Sequence, residues 1–567
     1  MKLIARFLKP HLWLCVVTML LLIVDTAGAL FIPTLAAEML NQGTSGATFD
    51  AVLRTGGLMA AASVLSGVCA ILGGYACATL TARIGKDMRV ALYDKSLKLS
   101  KYDFRHFGIA SITTRTVSDI TNIQTALTSF IQMVLPVPFI FIVALVLAIR
   151  LDWELGMILL AVIVIVFVLA LFIMNSAAPL FQKLQKLLDR MTTILLENLT
   201  GVRVVRAFNN EQREEQRMGR AFAAYADTSI RANRRFANLD GISFFCINLF
   251  VVIVYWLSGG RISAGHLQIG DITAIISYAT MVLFFLMMAQ MVVMMMPRAL
   301  ECCERVQAVL DHTPEIQDLV SGPPRPFDDD APEVLSFRNV SFRFADAEED
   351  TLSELNFTCR RGQTTAIIGG TGTGKSTIAS LILRFHDVTR GAILLNGTDI
   401  RRMPQHFLRE RLAYVQQKAW LFSGTIADNL RYSDPDASRE TMLHAVDVAQ
   451  AGTNFSGGQR QRLSIARALV KKPELYIFDD SFSALDFKTD AALRRALAKE
   501  TQDAAVLIIA QRVSTIQHAD QIIVLHEGRM AGIGRHEELL KTCGVYREIY
   551  ESQTKTAGET GKEEHEP

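Results

Sequence analysis

Residues Gly369 to Ser376, with the sequence GGTGTGKS, have the spacing G-x-x-x-x-G-K-[ST]. In such a loop the backbone N–H groups ahead of a helix bind phosphate oxygens, the lysine neutralises their charge, and the hydroxyl can ligate Mg²⁺. The preceding TTAIIG is typical of a strand and the following KSTIASLILRF of a helix, which favours a phosphate-binding loop over an ordinary glycine-rich turn. The residues predicted to hold the phosphates are Gly370, Thr371, Gly372, Thr373, Gly374, Lys375, Ser376 and Thr377.

A second candidate for this chemistry is a pair of aspartates at the end of an apolar run. The segment ELYIF is typical of a buried strand, and it leads into Asp479 and Asp480. A carboxylate at such a strand end can face a magnesium ion that is bound to phosphate oxygens. Asp479 and Ser376 are therefore predicted to serve the metal, and the role of Asp480 is a separate question.

The composition indicates a chain with a membrane part and a soluble part. A chain of 567 residues is too long for a single domain with one hydrophobic core. Of its residues, 50% are hydrophobic and only 20% are charged. Such values suggest that much of the chain lies in lipid. The net charge of +2 gives no indication of a nucleic-acid partner. The eight cysteines have no C-x-x-C spacing, so neither a zinc site nor a disulfide framework is indicated.

Six stretches without lysine or arginine are long enough to cross about 30 Å of hydrocarbon. They cover roughly residues 12–36, 55–81, 127–149, 155–177, 241–260 and 272–297. Basic residues precede the first stretch and follow the second and the fourth, whereas the segment 37–53 has none. Because cytoplasmic loops carry the excess of lysine and arginine, both termini are predicted to be cytoplasmic. The loops at about 82–126 and 178–240 are long and helix-patterned, so they are predicted to extend beyond the bilayer as stalks.

Further motifs follow in an order that resembles one protein family. Phe344 lies in VSFRF, Gln417 lies in YVQQKAWLFSGTI, FSGGQ covers 455–459, and SALD covers 483–486. The segments FGIASITTRTVSDI and LLENLTGVRVVRAFNNEQ look like the two coupling segments of the same family. The chain resembles the ATP-binding cassette (ABC) transporters, in the half-transporter arrangement of the exporter branch.

The resemblance implies a fold class and a domain order. The implied fold is a membrane α-helical domain with six transmembrane helices, followed by an α/β P-loop ATPase domain. The expected boundaries are a membrane domain with two coupling loops at 1–312, a linker at 313–332, the ATP-binding cassette at 333–553 and a disordered tail at 554–567. The turn-rich SGPPRPFDDDAP favours the linker, and the polar TKTAGETGKEEHEP favours the tail.

The resemblance also implies cofactors and residue roles. ATP and Mg²⁺ are the expected cofactors. Phe344 would stack on the adenine, and Gln417 would sense the magnesium and the γ-phosphate. The signature motif of this family stands just ahead of a helix, where an anion can bind. In the family it docks on the ATP that a second subunit holds. The resemblance therefore implies a dimer. The residues of this signature motif are Ser456, Gly457, Gly458 and Gln459.

Two residues depart from the family pattern. Active members have a glutamate after the metal-facing aspartate, where it polarises the attacking water, and here Asp480 is one methylene shorter. A misplacement of about 1 Å can cost on the order of 10²-fold in rate. Gln511 stands where the family has a histidine that contacts the γ-phosphate, and a glutamine cannot become cationic. Together they predict a site that binds ATP and hydrolyses it slowly; the alternative is that Asp480 is a working conservative replacement.

These departures, with an intact signature, resemble the degenerate subunit of bacterial heterodimeric ABC exporters. The chain is expected to pair with a second half-transporter and to lie in the lipid of the bacterial plasma (inner) membrane. The pair is expected to move apolar or amphipathic compounds out of the cytoplasm. Two alternatives remain open. One is a regulatory subunit that gates a transporting partner. The other is a homodimeric lipid or peptide exporter, which would need a competent Asp480.

A third departure concerns length. The sequence AVDVAQAGTNFSGGQ runs almost directly from one helix into the signature, and roughly two dozen residues that the family usually has are missing. The missing part would include the loop that contacts the coupling segments. Either transmission to the membrane domain is altered, or this sequence omits residues that the natural chain carries.

Two polar residues within the predicted spans are candidates for contact with a substrate. Asp25 lies near the middle of the first span, where an ionisable group is costly and by default functional. The alternative for Asp25 is a structural hydrogen bond or an interfacial water. Gln290 lies in the methionine-rich MVLFFLMMAQMVVMMM, and methionine suits varied apolar ligands because it is flexible and polarisable. Ordinary packing or lipid contact explains most of these methionines at least as well.

Overall fold

The computed structural model describes residues 2–263, 267–318, 322, 327–449, 457–483 and 487–560. The chain divides into two compact units. The first consists of Met1–Lys98 and Phe107–His312, and the second of Leu99–His106 and Thr313–Pro567. The division after His312 falls where the sequence places the end of the membrane domain. The grouping of Leu99–His106 differs from the sequence prediction. These residues belong to the second unit, although the sequence assigns them to a loop of the membrane domain.

The described part of the first unit is helical almost throughout. Its helices are Lys2–Leu8, Leu12–Thr44, Phe49–Leu97, Ile109–Thr114, Ile120–Ser129, Val137–Leu151, Trp153–Thr200, Val202–Ala207, Glu211–Ser263 and Ile269–Asp311. A 3-10 turn covers Lys9–His11, and π-helical segments cover Arg115–Asp119 and Phe130–Val134. The long loops are therefore helical for most of their length, as the sequence predicts.

Five helical stretches among the described residues are long and apolar enough to cross a membrane. They are Lys2–Thr44, Phe49–Leu97, Ile109–Leu151, Gly241–Ile262 and Ile269–Asp311. The span predicted at 155–177 falls in Trp153–Thr200, where the apolar stretch Trp153–Leu169 is shorter. The count of six spans thus stays a prediction.

The helices Leu12–Thr44 and Phe49–Leu97 approach closely through small residues. A Cβ atom added at Gly28 would lie 2.8 Å from the Cβ of Ser66, which is too close for a real side chain. Small residues at such a crossing allow close backbone approach and van der Waals contact, which drive helix association where water is absent. Gly28 is therefore required for this helix pair.

A buried carboxylate joins the first of the two predicted coupling loops to the last helix of the first unit. Asp119, at the end of the π-helical segment, is 2% exposed and accepts hydrogen bonds from Arg305 Nε at 3.0 Å and Nη2 at 2.8 Å. The Cys302 thiol donates to the same carboxylate at 3.5 Å, and Arg115 donates to the Arg305 carbonyl at 3.1 Å. Since Arg305 and Cys302 lie on Ile269–Asp311, the loop is fixed against that helix.

The second unit contains two β-sheets. Their strands are β1 Glu333–Phe342, β2 Leu352–Arg360, β3 Thr364–Gly369, β4 Arg390–Leu395, β5 Thr398–Asp399, β6 Leu412–Val415, β7 Leu475–Asp479, β8 Ala505–Ile509, β9 Gln521–His526 and β10 Arg529–Gly534. An antiparallel sheet has the order β2-β1-β4-β5, and a six-stranded sheet has the order β10-β9-β3-β8-β7-β6. In the larger sheet the neighbours from β9 to β6 are parallel, and β10 is antiparallel to β9.

The six-stranded sheet is covered on both faces. All residues of β7 and β8 are buried, which is why their sequences are continuous apolar runs rather than alternating patterns. One face packs on Lys375–Ile382 and on the antiparallel sheet, and the other packs on Gly457–Val470 and Phe487–Glu500. The carboxyl ends of the strands therefore project from a rigid layer.

Short helices complete the second unit. Its helices include Lys375–Ile382, Gln405–Glu410, Ile426–Arg431, Arg439–Ala449, Gly457–Val470, Phe487–Glu500, Val513–Ile516, His536–Thr542 and Gly544–Thr560, with a 3-10 turn at Ile400–Arg402. A further helix, Lys101–Phe107, begins within Leu99–His106, next to Ser100, which donates to Glu315 at 3.3 Å. Of the predicted linker, residues 319–321 and 323–326 lie outside the described residues.

The predicted disordered tail begins within a helix. The helix Gly544–Thr560 continues through 554–560, whereas 561–567 lie outside the described residues. Tyr546 is fully buried in the core at the start of this helix. Once the first turns are fixed by packing, each further turn costs little, so the helix continues into a polar sequence.

Candidate functional site

The residues predicted to hold the phosphates, the metal and the attacking water come from the carboxyl ends of four adjacent parallel strands. The phosphate loop follows β3, Gln511 follows β8, Asp479 ends β7, and Gln417 follows β6. Since these strands lie side by side in the order β3-β8-β7-β6, their ends form one edge. Ligands of open α/β sheets bind outside this edge.

The loop after β3 has the backbone conformation that its glycines allow. Gly372 has a φ of 84° and Gly374 a φ of 88°, values that residues with a side chain rarely adopt. A Cβ atom at Gly374 would also lie 2.6 Å from Leu352. The strand ends at Gly369 as the sequence predicts, and the helix begins at Lys375 but ends at Ile382, before the predicted Phe385.

Lys375 is held inside the loop. Its ammonium donates hydrogen bonds to the carbonyls of Gly369 at 2.8 Å and Gly370 at 2.5 Å, and the residue is 8% exposed. Burial lowers the pKa of this ammonium, and the charges of Asp480 and Asp479 oppose that shift. The lysine thus brings a positive charge to the place where the phosphates are predicted to bind.

Oxygen atoms suitable for Mg²⁺ meet beside the lysine. The Ser376 hydroxyl donates to Asp479 Oδ1 at 3.0 Å, and the Tyr414 hydroxyl donates to Asp479 Oδ2 at 3.1 Å. Mg²⁺ prefers oxygen ligands and is usually held by one or two protein groups together with substrate phosphates. The serine and aspartate pair therefore fits the ion. Among the described residues no cluster of three His, Cys, Asp or Glu side chains offers another metal site.

Asp480 is held by two amides. Its Oδ2 accepts hydrogen bonds from Gln417 Nε2 at 3.0 Å and from Gln511 Nε2 at 3.2 Å. Its backbone φ of 47° lies in the left-handed region, which aspartate tolerates better than most residues, and its N–H donates to the Ile509 carbonyl at 2.8 Å. The structure thus brings together the two residues at which the sequence departs from the family, and adds Gln417 to them.

The charge of Asp480 is disfavoured by its surroundings. Burial raises the pKa of its carboxyl, and the neighbouring charge of Asp479 adds to the rise. The hydrogen bond from Gln417 and the positive charges of Lys375 and Arg512 oppose it.

Comparison with known proteins identifies both units. Residues 15–287 match the ABC transporter transmembrane region, and residues 352–483 match the ABC transporter ATPase model. An uncharacterised ABC transporter ATP-binding protein of Mycobacterium tuberculosis (strain CDC 1551 / Oshkosh) is 34% identical over 98% of this chain and 99% of its own length. The chain belongs to the ABC transporter family. It is an ABC exporter half-transporter, and its ATPase domain couples ATP hydrolysis to transport.

Other ABC proteins show the same similarity. An ATP-dependent lipid A-core flippase of Pseudomonas putida is 30% identical over 85% of this chain and 82% of its own length. A solved structure of a bacterial Atm1-family ABC exporter with ATP bound has a TM-score of 0.76 and 26% identity, covering 96% of this chain and 98% of that chain. The fold of a helical membrane domain joined to a P-loop ATPase domain is therefore confirmed.

The alignment with the mycobacterial ABC protein bears on the short segment before the signature. It extends over 576 residues, more than the 567 of this chain, so it contains gaps opposite this chain. Residues 450–456, between Arg439–Ala449 and Gly457–Val470, lie outside the described residues. Both explanations for the short segment stay open.

The remaining nucleotide-site predictions are placed as follows. Phe344 is half-buried and packs edge-on against Phe342 and His386, with ring centroids at 4.8 and 5.5 Å. The helix Gly457–Val470 begins within the signature, with Gln459 in its first turn, whereas Ser456 lies outside the described residues. Residues 484–486 of the SALD loop also lie outside them. The roles given to Phe344 and to the signature stay predictions.

The two candidates for substrate contact differ in their surroundings. Asp25 Oδ1 accepts a hydrogen bond from the Ser66 hydroxyl at 2.8 Å, which is the structural role that the sequence leaves open as an alternative. Gln290 is 9% exposed within Ile269–Asp311. Substrate contact by Asp25 and Gln290 stays a prediction.

Tyr414 is the site residue that sequence reasoning misses. It lies in the apolar strand β6, three residues before Gln417, where a tyrosine is ordinary on propensity grounds. Its contact with Asp479 depends on the pairing of β6 with β7, which no local pattern reveals.

Proposed function

We propose that this chain is one subunit of a heterodimeric exporter in the bacterial inner membrane, with both termini cytoplasmic, and that its own ATP site hydrolyses slowly. ATP with Mg²⁺ would bind between the phosphate loop and Asp479. The transported compounds would be apolar or amphipathic. The observation that carries the proposal is the position of Asp480 between Gln417 and Gln511.

The hydrogen bonds of Asp480 argue against an efficient general base. A base must reach the water that it activates, and the two amides fix Oδ2 of a carboxylate that is one methylene shorter than a glutamate. Gln511 also contributes no positive charge toward a γ-phosphate. Binding, in contrast, depends on Lys375, Ser376 and the loop backbone, which are placed to hold phosphates.

The magnesium ion would neutralise phosphate charge and polarise the γ-phosphoryl group. The chain's own contribution is to place the Ser376 hydroxyl and the Asp479 carboxylate together and to keep Lys375 beside them. Asp480 and Gln417 would orient water at the edge of the same site. Closure of two ATPase domains over their nucleotides would then drive outward opening, as the family mechanism implies.

The test compares this chain alone with this chain purified together with the half-transporter that co-purifies with it. We expect the chain alone to bind ATP but to hydrolyse it at least about 10²-fold more slowly than the complex. The double variant Asp480→Glu and Gln511→His should raise turnover by the chain alone. Robust turnover by the unmodified chain that Asp480→Ala abolishes would overturn the proposal.

A second experiment separates a transporting subunit from a regulatory one. In the complex, Lys375→Ala removes this chain's own ATP, whereas Ser456→Arg blocks the signature that would complete the partner's site. If both variants lose transport, the chain uses its own nucleotide. If only Ser456→Arg loses transport, the chain serves mainly to complete the partner's site.

Relatives named lipid A-core flippases favour a lipid-like substrate as a second candidate function. A homodimeric lipid exporter would need Asp480 to be competent, so the ATPase test above also decides this alternative. If Asp25 meets a cationic substrate, Asp25→Asn should reduce efflux of cationic dyes. Unchanged efflux of every dye tried would leave Asp25 with its structural hydrogen bond to Ser66.

A further inference from the structure

The two oxygens of the Asp479 carboxylate have different partners. Asp479 is 4% exposed, and a buried carboxylate is stable only when it is paired or hydrogen-bonded. Oδ1 accepts from Ser376 at 3.0 Å, on the side where the metal ligands meet. Oδ2 accepts from the Tyr414 hydroxyl at 3.1 Å. The tyrosine therefore holds the oxygen that does not face Ser376.

The sheet explains how Tyr414 reaches this oxygen. Tyr414 is paired with Ile477 in the parallel register of β6 and β7. Because side chains alternate along a strand, Tyr414, Ile477 and Asp479 lie on the same face. The helix Lys375–Ile382, which carries Ser376, packs on that face too. The carboxylate thus lies between a hydroxyl from the helix and a hydroxyl from the neighbouring strand.

The tyrosine is a permanent hydrogen-bond donor. A tyrosine phenol has an ordinary pKa of about 10. The phenol therefore stays protonated at neutral pH. Since the rest of the ring packs on apolar residues, a phenylalanine would fill the same space without the hydrogen bond.

We propose that Tyr414 is a positioning residue for the magnesium–ATP site, because it fixes the orientation of the Asp479 carboxylate and so keeps Oδ1 beside Ser376. This inference rests on the magnesium–ATP site of the proposed function. Mutation of a residue that orients a metal-binding group typically lowers the metal affinity by about 10–100-fold. In a slowly hydrolysing subunit, this contribution would prolong the retention of magnesium with ATP.

The test measures nucleotide binding rather than turnover. The full chain in detergent is titrated with a fluorescent ATP analogue, first in EDTA and then at increasing Mg²⁺. For Tyr414→Phe we expect the Mg²⁺ concentration at half-maximal stimulation of binding to rise about 10-fold or more, and binding in EDTA to stay within about twofold. Electron paramagnetic resonance of Mn²⁺ in the presence of ATP should show the same loss of metal affinity.

Tyr476→Phe is the matched control. Tyr476 lies on β7 and is 3% exposed, but it belongs to the opposite face of the sheet. The same loss of a hydroxyl there should leave the Mg²⁺ dependence within about twofold. Thermal unfolding of both variants shows whether each one folds.

A double variant distinguishes positioning from general support of the fold. In the Asp479→Asn background, Tyr414→Phe should change the Mg²⁺ dependence by less than about twofold, because the tyrosine acts through the carboxylate. An unchanged Mg²⁺ dependence in Tyr414→Phe alone, or an equal effect in both backgrounds, would overturn the inference. If Mg²⁺ does not stimulate nucleotide binding even in the unmodified chain, the proposed magnesium site itself is wrong.

Discussion

At the scale of single residues, three properties describe the Asp480 carboxylate. Its carboxylate is one methylene shorter than a glutamate, its Oδ2 is shared by two amides, and its environment disfavours the charge. A glutamate at this position could extend beyond the Gln417 and Gln511 amides toward a water. The aspartate instead closes a local network of hydrogen bonds.

The raised pKa of Asp480 predicts a pH-dependent effect on stability. A carboxyl whose folded-state pKa is raised binds its proton more tightly in the folded state, so its ionisation reduces the free energy of unfolding above that pKa. Asp480→Asn should therefore raise the unfolding temperature of the nucleotide-free chain at pH 7.5. The gain should shrink as the pH falls through the raised pKa.

The control for that effect is Asp447→Asn, at an exposed position on Arg439–Ala449. It should leave the unfolding temperature nearly unchanged over the same pH range. Two results would contradict the conclusion that ionised Asp480 destabilises the fold. One is equal stabilisation by both variants, and the other is a gain for Asp480→Asn that grows at low pH.

The sequence reveals those site residues whose spacing is fixed by a motif. Ser376 contacts Asp479, and Lys375 precedes Ser376, because each of these residues stands at a strand end or a helix start that local patterns identify. The contact of Tyr414 with Asp479 could not be predicted in this way, because it depends on which strands are neighbours. The convergence of Gln417 and Gln511 on a single oxygen also depends on side-chain geometry that one sequence does not specify.

At the scale of elements, the strands of the nucleotide-binding unit were easier to predict than the ends of its helices. The buried strands β3 and β7 are apolar runs with clear boundaries, and both are found where the sequence places them. The helix Gly544–Thr560 extends beyond the apolar residues of its sequence, because the packing of its first turns stabilises the helix. The grouping of Leu99–His106 with the second unit reflects tertiary packing, which local patterns do not report.

The contact between Asp119 and Arg305 gives a prediction at this scale. Arg305→Ala would leave the buried Asp119 carboxylate without its two charged hydrogen bonds. The loss of such bonds costs about 1.5–3 kcal/mol. We expect a clear decrease in the unfolding temperature of the chain in detergent.

Arg298→Ala is the control on the same helix, since Arg298 is exposed. It should change the unfolding temperature little. The double variant Arg305→Leu and Asp119→Leu should recover part of the stability lost in Arg305→Ala, because it removes the uncompensated charge. Equal unfolding temperatures for Arg305→Ala and Arg298→Ala would show that the ion pair contributes nothing.

At the scale of the whole molecule, the proposed orientation in the membrane rests on the distribution of basic residues. A cysteine placed at Ser45, between the first two predicted spans, should react with a membrane-impermeant maleimide in intact cells. A cysteine placed at Arg213, in the second long loop, should react only after permeabilisation. Both positions are exposed. Labelling of the unmodified chain is the control that reports the reaction of its native cysteines. The opposite pattern would reverse the proposed topology.

The long helices of the first unit differ in their proline content. Leu12–Thr44, Trp153–Thr200 and Ile269–Asp311 each contain an internal proline, whereas Phe49–Leu97 and Glu211–Ser263 contain none. A proline removes a backbone hydrogen bond and lets a helix bend at that point. The three helices with a proline therefore each have a position where such a bend is favoured, whereas the helices of 49 and 53 residues have none of this kind.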